Sequence, residues 1–414
     1  MGSFSFASGN AAQVMRLPLH VLGVLATRVV PRSRDLWVFG SSIGIGEGAL
    51  ALWQVATAAG ERAVWLTGTE KDADAARRAG MPSAPKRGLR GFWLTARARV
   101  VVITHGSGDV NRYATSGSYL VQLWHGIPLK RLGLDSPVTA RAPLPVPGLS
   151  RLLQIAYRRT QRRIRLLPAA SHLVRGRLES AFGLGHEQVL VTGEPRVDVL
   201  SSGRETAEAR ADVEGLVGPL DGARIVLYAP TWRDGETDPA VPSTAEWDLI
   251  GAALERLDAV LLVRPHPLGA GEYRSGTSNR RIRLLGSDLL ADVTPALPAL
   301  DVLITDYSSL AYDSALIPLP VVFFAPDEDR YAVERGFYGR YRDVAGDDVA
   351  TDWAGVMTQV ATVLTDDVER ARRLARAEAL SARVHAFRDG CNAERVYGAI
   401  RRGLATTTRT RRQP

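Results

Sequence analysis

Short runs of consecutive apolar residues, most of them closed by glycine, alternate along the chain with segments of helical spacing. DLWVFG, AVWLTG, RVVVITHG and YLVQLWHG are such runs in the first third, with GALALWQVATAAG and DADAARRAG between them. The runs are too short for helices and are rich in β-branched and aromatic residues, so they predict strands. Their unbroken apolar character predicts burial on both faces, as in a parallel sheet. A second series begins after residue 220: ARIVLYAPTW, AVLLVRPHP, RIRLL, VLITDYSS and PVVFFAP, with AEWDLIGAALERL and SSLAYDSALI as helices. The pattern predicts an α/β protein of two facing, doubly wound, Rossmann-like domains, over residues 1–192 and 223–390. The polar stretch 193–222 reads as the linker between them. Residues 391–414 read as a last helix that packs back across the pair, followed by a basic tail. Ligands of such sheets bind at the carboxyl ends of the strands, so the chemistry is expected there, in the cleft between the domains.

Composition adds that the chain folds: 414 residues with 45% hydrophobic and 23% charged side chains exclude a disordered or collagen-like whole. One cysteine, Cys391, excludes a disulfide framework, and no His or Cys stands near it at zinc-ligand spacing, which suits a reducing cytosol. Charge is uneven. Against 44 acidic residues stand 52 basic ones, and two stretches more than account for the excess: residues 151–166 hold six arginines and no acid, and 401–414 hold five. At 100° per residue, Arg151, Arg158, Arg162 and Arg165 share one side of a helix, opposite Leu153, Ala156, Tyr157, Ile164 and Leu167. Such a helix either lies on an anionic membrane surface or presents a solvated basic face. This charge suits an anionic surface or a polyanionic substrate better than a DNA groove, and aromatic interleaving for nucleic acid is absent. Residues 12–30 are mostly apolar, but Arg16 and Arg28 leave less than the ~20 residues needed to span a bilayer. The segment reads as an interfacial helix or one packed on the first domain.

Three histidines, His105, His125 and His266, follow strand-like runs and so fall at carboxyl ends. His125 stands on a constrained turn between Trp124 and Gly126, with the cation Lys130 close behind, and His266 stands between two prolines beside Arg264. In VLITDYSSLAYDS a strand runs into Asp306 and then Ser308 and Ser309, where a helix start could seat a diphosphate. Asp313, one turn on, could accept from ribose hydroxyls. Helix capping by the serines is the plain alternative. YAPTWRD places Thr231 and Arg233 at another strand tip, where Arg233 could clamp a phosphate. GSSIGIGEG (Gly40–Gly48) lacks the spacing of a dinucleotide fingerprint or a Walker lysine and reads as a tight turn.

Taken together, LWHGIPLKRLG, VTGEPRVDVL, YAPTWRD, RPHP and ITDYSSLAYDSA, in this order, resemble the CDP-glycerol glycerophosphotransferases that build teichoic acids. The resemblance implies a fold of the GT-B type, CDP-glycerol as donor, release of CMP, no cofactor and no obligatory metal. It also implies a lipid-linked or polymeric glycopolymer acceptor and peripheral attachment to the cytoplasmic face of the plasma membrane. It implies His125 and His266 as the residues important for activity, facing each other across the cleft. It places Thr231, Arg233, Arg264, Ser308 and Ser309 on the donor side, with Gly126, Lys130 and Asp313 completing the substrate-binding set. An ordinary imidazole pKa of about 6.5 suits His125 as general base. His266 with Arg264 would then stabilise charge on the phosphoryl group and CMP, and the two histidine roles could be exchanged. A CDP-ribitol-dependent transferase, a glycosyltransferase using a nucleotide sugar and a non-catalytic surface-binding protein remain the alternatives.

Overall fold

The computed structural model describes residues 17–137, 148–203, 205–233, 237–266 and 269–410. Its strands form two parallel sheets. The first contains β1 (Leu36–Gly40), β2 (Arg62–Thr67), β3 (Ser83–Pro85), β4 (Val100–Ile103), β5 (Tyr119–Gln122), β6 (Ile164–Ala169) and β7 (Val189–Val191), in the order β3-β2-β1-β4-β5-β6-β7. The second contains β8 (Arg224–Ala229), β9 (Ala259–Val263), β10 (Ile282–Leu284), β11 (Val302–Thr305) and β12 (Val321–Phe323), in the order β10-β9-β8-β11-β12. Each order turns back beside its first strand, at β1/β4 and at β8/β11. These are the topological switch points where an open α/β sheet leaves a crevice at its carboxyl edge.

Central strands are buried on both faces, as their unbroken apolar runs require. Val38 lies in register with Val64 on one side and Val101 on the other; Val38 and Val101 are fully buried and Val64 half-buried. Trp37, Phe39, Trp53 and Trp65 pack with Ala49 and Leu52 into one cluster, closed by Val396, Ala399, Ile400 and Leu404 of the carboxy-terminal helix (Asn392–Thr410). Each such side chain contributes roughly 1.5–3 kcal/mol on burial. The second sheet has its own core, in which Tyr228, Trp247, Tyr273 and Trp353 pack with the valines and isoleucines of β8, β9 and β11.

Two compact units result. One comprises residues 1–125, 131–198 and 385–414, the other 126–130 and 199–384. The carboxy-terminal helix therefore belongs to the first unit, but the linker expected over 193–222 is absent. Residues up to Asp198 pack in the first unit, and 206–217 form a helix whose Ala209 and Val213 are buried in the second. Two small apolar residues four apart give a weak helical signal within a polar stretch. Likewise the domain boundary expected at 390 falls at 384.

The arginine-rich stretch also differs from expectation. The helix runs only Leu149–Gln161, with Arg162 at its carboxy-terminal cap, and β6 begins at Ile164, so Arg165 is an exposed residue of a strand. Alternate apolar positions at Ile164 and Leu166 are buried beside exposed Arg165, a strand period hidden among arginines. Arg151, Arg158 and Arg162 are exposed, as are Leu152 and Ile155, while Tyr157 is buried. The amino-terminal helix (Leu17–Val29) buries Thr27 but leaves Leu22, Leu25 and Val29 exposed by 61%, 51% and 82%. Among the described residues no helix is long and apolar enough to cross a membrane. Residues 12–16 of the apolar amino-terminal stretch and 411–414 of the basic tail lie outside the described residues.

Candidate functional site

In the first unit the chemistry gathers beyond β1, β4 and β5. Gly40 ends β1 where a Cβ would run into the Asp109 carbonyl, so only glycine lets the loop after β4 approach. Asp109, buried at 1% exposure, accepts hydrogen bonds from the backbone N–H groups of Thr104, His105 and Gly106 at 2.9, 2.7 and 3.2 Å, and from the Ser42 hydroxyl. This pins the turn that carries His105. β5 ends at Gln122, and after Leu123 the chain passes through positive φ at Trp124 (64°) and Gly126 (135°). The turn is as constrained as the sequence suggests, and it holds His125 between two rings. Trp124 lies 4.0 Å away, tilted by 35°, and His105 lies 4.7 Å away, stacked at 15°. Glu47 opens the helix Glu47–Ala58, and its Oε2 is 3.9 Å from Nε2 of His105. Burial, with the charge of Arg196, holds His105 below the usual imidazole pKa against the opposing pull of Asp109.

In the second unit the corresponding groups follow β8, β9 and β11. His266 lies just beyond β9, stacked on Trp232 at 5.3 Å and 22°, and its carbonyl accepts from the Gly269 N–H at 2.8 Å. Lys130 joins this unit through an antiparallel bridge to Phe337, its Nζ 6.0 Å from the Tyr331 ring. Burial pushes the Lys130 ammonium down to about 8, against the attraction of Asp306. Burial, then the charge of Lys130, lowers the His266 imidazole below its usual value. The unit thus presents a neutral imidazole beside a cation at neutral pH.

Asp306 organises the rest. It accepts from the Thr231 N–H at 2.9 Å, from the Tyr307 N–H at 2.6 Å and from Arg233 Nη1 at 2.9 Å. Arg233 is the first correction among the candidate residues. Its Nε and Nη2 donate to the two oxygens of Asp327, both at 2.8 Å, and Nη1 also reaches the Thr231 carbonyl, so the guanidinium fork is spent inside the fold. It is 5% exposed and holds two buried carboxylates rather than a phosphate. Burial works to raise the Asp327 carboxyl, but Arg233 and Tyr307 hold it below the usual range. Arg264 is the second correction. It donates to the carbonyls of Leu285 and Leu290 at 3.2 and 2.7 Å and of Ala291 at 3.0 Å, bracing the loop after β10. Arginine at a strand tip reads identically in sequence whether its fork meets a ligand or a loop. Asp234 of the same motif lies outside the described residues, as does Pro267 beside His266.

The serines stand where expected, but the helix they open is short, Leu310–Ser314. Ser308 Oγ accepts from the Leu310 N–H at 3.2 Å, while the Ser309 hydroxyl makes no capping bond. A five-residue helix supplies little dipole, so any diphosphate here relies on local amides and hydroxyls. Asp313 is 1% exposed, and its carboxylate is enclosed in the fold. Among the described residues no group of three or more His, Cys, Asp or Glu could hold a metal ion. Sequence reasoning missed Glu47 and Asp109, and it set Trp232 at the tip of the YAPTWRD strand without giving it a part. Glu47 had one signal, an acid inside a glycine run, and its place in the first turn of the helix Glu47–Ala58 gives that acid a second, structural reason.

The sequence profile of the family described as CDP-Glycerol:Poly(glycerophosphate) glycerophosphotransferase matches residues 26–402. A teichoic acid glycerol-phosphate transferase of Staphylococcus aureus (strain NCTC 8325 / PS 47) is 28% identical over 268 residues, 63% of this chain and 66% of that protein. A teichoic acid poly(glycerol phosphate) polymerase of Staphylococcus epidermidis (strain ATCC 35984 / DSM 28319 / BCRC 17069 / CCUG 31568 / BM 3577 / RP62A) is 31% identical over 228 residues, 54% of this chain and 31% of that protein. The matches thus span about two thirds of the first relative's length and under one third of the second's. The structure of the wall teichoic acid polymerase TagF superposes with a TM-score of 0.74 at 22% identity, over 95% of each chain. At that identity the likeness bears on fold, and it agrees with two Rossmann-like sheets of the GT-B type.

Proposed function

Because the chain belongs to the CDP-glycerol:poly(glycerophosphate) glycerophosphotransferase family, we propose that it moves glycerol phosphate from CDP-glycerol to a hydroxyl of a teichoic-acid-type acceptor. The observation that carries this reading is that each unit places one ring-stacked histidine just beyond a strand next to its sheet's switch point: His125 after β5 and His266 after β9. An acceptor oxygen bonds to the phosphorus adjoining glycerol, the bond from that phosphorus to the CMP oxygen breaks, and the acceptor proton passes to His125 as general base. CMP leaves with the bonding electrons. No glycosidic bond forms.

His266, neutral at physiological pH, donates a hydrogen bond to the transferred phosphoryl group or to CMP. The cation that Arg264 and Arg233 do not supply is Lys130. Thr231, Ser308 and Ser309 seat the diphosphate, and Gly126, lacking a side chain at φ 135°, leaves room for substrate beside His125. Asp313 underpins the ribose side from within the fold. Transfer needs no metal or other cofactor, so activity persists in excess EDTA. The acceptor is lipid-linked or polymeric, and the enzyme works peripherally at the cytoplasmic face of the plasma membrane. Arg151, Arg158 and Arg162 would meet anionic headgroups together with the exposed Leu152 and Ile155.

Incubation of purified enzyme with CDP-glycerol and a synthetic lipid-disaccharide acceptor tests the reading. CMP and an acceptor heavier by glycerol phosphate are expected, with loss of about 10²–10⁴-fold in turnover for His125→Ala and for His266→Ala. Nucleotide release only from CDP-ribitol would change the alditol. Release only from UDP-sugars, with a glycosidic product, would overturn the assignment.

A further inference from the structure

Glu47 holds its backbone at φ 53°, in the left-handed region that disfavours every side chain but glycine. Glycines surround it in the sequence GIGEG, so the turn accepts glycine readily, yet this position carries a carboxylate. That carboxylate points inward. Its side chain and that of His105 are each 13% exposed, and Oε2 lies 3.9 Å from Nε2 of His105, within ion-pair range and beyond a hydrogen bond. Three backbone N–H groups bound to Asp109 fix the turn that carries His105. Its ring in turn lies flat against His125. Glu47, His105 and His125 thus form one line from the end of β1, across the end of β4, to the end of β5, at the switch point of the first sheet.

We propose that Glu47 and His105 are positioning residues for the base. In this arrangement His105 keeps its Nε2 proton directed at the Glu47 carboxylate and offers its π face to the imidazolium that His125 becomes when it takes the acceptor proton. A cation over an electron-rich ring, with a carboxylate behind that ring, is stabilised electrostatically. The inference rests on the reading of His125 as base. One proton moves, from the acceptor hydroxyl to His125, and neither His105 nor Glu47 gains or loses one. Burial keeps His105 neutral at physiological pH, as the stack requires, since two charged rings would repel. Among the described residues, the other charges that act on His105 include Asp109 from the turn after β4 and Arg196 from the turn Pro195–Val197, the latter beside Glu194 at 3.4 Å.

Glu47→Gln keeps size and removes charge. Carbon-13 NMR titration of His125, assigned by the signal lost in His125→Asn, should move to lower pH in Glu47→Gln. The acid limb of kcat/KM should move the same way, because the imidazolium loses its support. Turnover should fall on the order of 10–100-fold, with KM for CDP-glycerol nearly unchanged. Glu47→Asp should recover part of both effects. Glu47→Gly should raise the thermal midpoint by releasing the strained φ while leaving turnover low, which a purely structural glutamate would not do. His105→Asn reads the same coupling should Glu47→Gln fail to fold. A His125 titration unmoved in a folded Glu47→Gln protein overturns the proposal. Because that titration needs no substrate, it decides the coupling even if transfer of glycerol phosphate fails to appear.

Discussion

Lys130, the cation proposed above for the donor, is held at the expense of the fold. Its ammonium is drawn down to about 8 because burial outweighs the attraction of Asp306. The free enzyme therefore loses this cation as pH rises through about 8, and kcat/KM for CDP-glycerol should decline there, with a limb that moves upward in Lys130→Arg. Lys130→Met should lower kcat/KM by about 10–100-fold, the worth of one charged hydrogen bond to phosphate. Stability moves oppositely. The folded chain binds this proton more weakly than the unfolded chain, so folding gains from deprotonation between about pH 8 and 10.5. Lys130→Met should accordingly unfold at higher temperature than the wild type at pH 7. At this scale the sequence placed His125 and His266 just beyond strand ends, and that is where the fold carries them. It could not tell an arginine that reaches a ligand from Arg233 and Arg264, whose partners, the Thr231 carbonyl apart, arrive from 21 to 94 residues away. Nor could it name Glu47, whose meaning depends on β1 and β4 lying side by side.

Among the elements, the carboxy-terminal helix is held by a cap that comes from far along the chain. Asp198 accepts from the backbone N–H groups of Asn392 and Ala393 at 3.1 and 2.8 Å, filling donors that a helix start leaves open. Burial raises its carboxyl to about 6 against those two bonds, so the folded chain holds this proton more tightly than the unfolded chain does. The stability it contributes is complete below about pH 4 and is lost as pH rises through 6. Asp198→Ala should cost about 1–2 kcal/mol in urea unfolding. Asp198→Asn should cost less and should flatten the wild-type decline between pH 4 and 6. Strands were legible wherever an apolar run met a glycine, as in β1, β2, β4 and β5. β3 escaped because three residues carry no period, and β6 because Arg163 and Arg165 made its first turn look like the end of a basic helix. The capping by Asp198 has no local signature at all.

For the molecule as a whole, the first unit exposes apolar and basic side chains on its helices, the residues on which the membrane attachment proposed above would depend. Leu22, Leu25 and Val29 stand exposed on one helix, and Leu152 and Ile155 on another that also bears Arg151 and Arg158. Each basic residue near an anionic leaflet contributes about 1 kcal/mol. Reversing Arg151 and Arg158 to Glu should weaken co-sedimentation with phosphatidylglycerol vesicles by more than about 10-fold and leave phosphatidylcholine controls unchanged. Equal partitioning of the reversed protein would remove this face from the account of membrane attachment.

The first unit is assembled from three separate stretches of chain. The tryptophan cluster of β1 and β2 is closed by Val396, Ile400 and Leu404. During synthesis on the ribosome, that cluster stays uncovered while the entire second sheet is made and can fold on its own. A nascent chain stalled before residue 390 would therefore display a greasy, half-finished amino-terminal lobe, the kind of surface on which chaperones act.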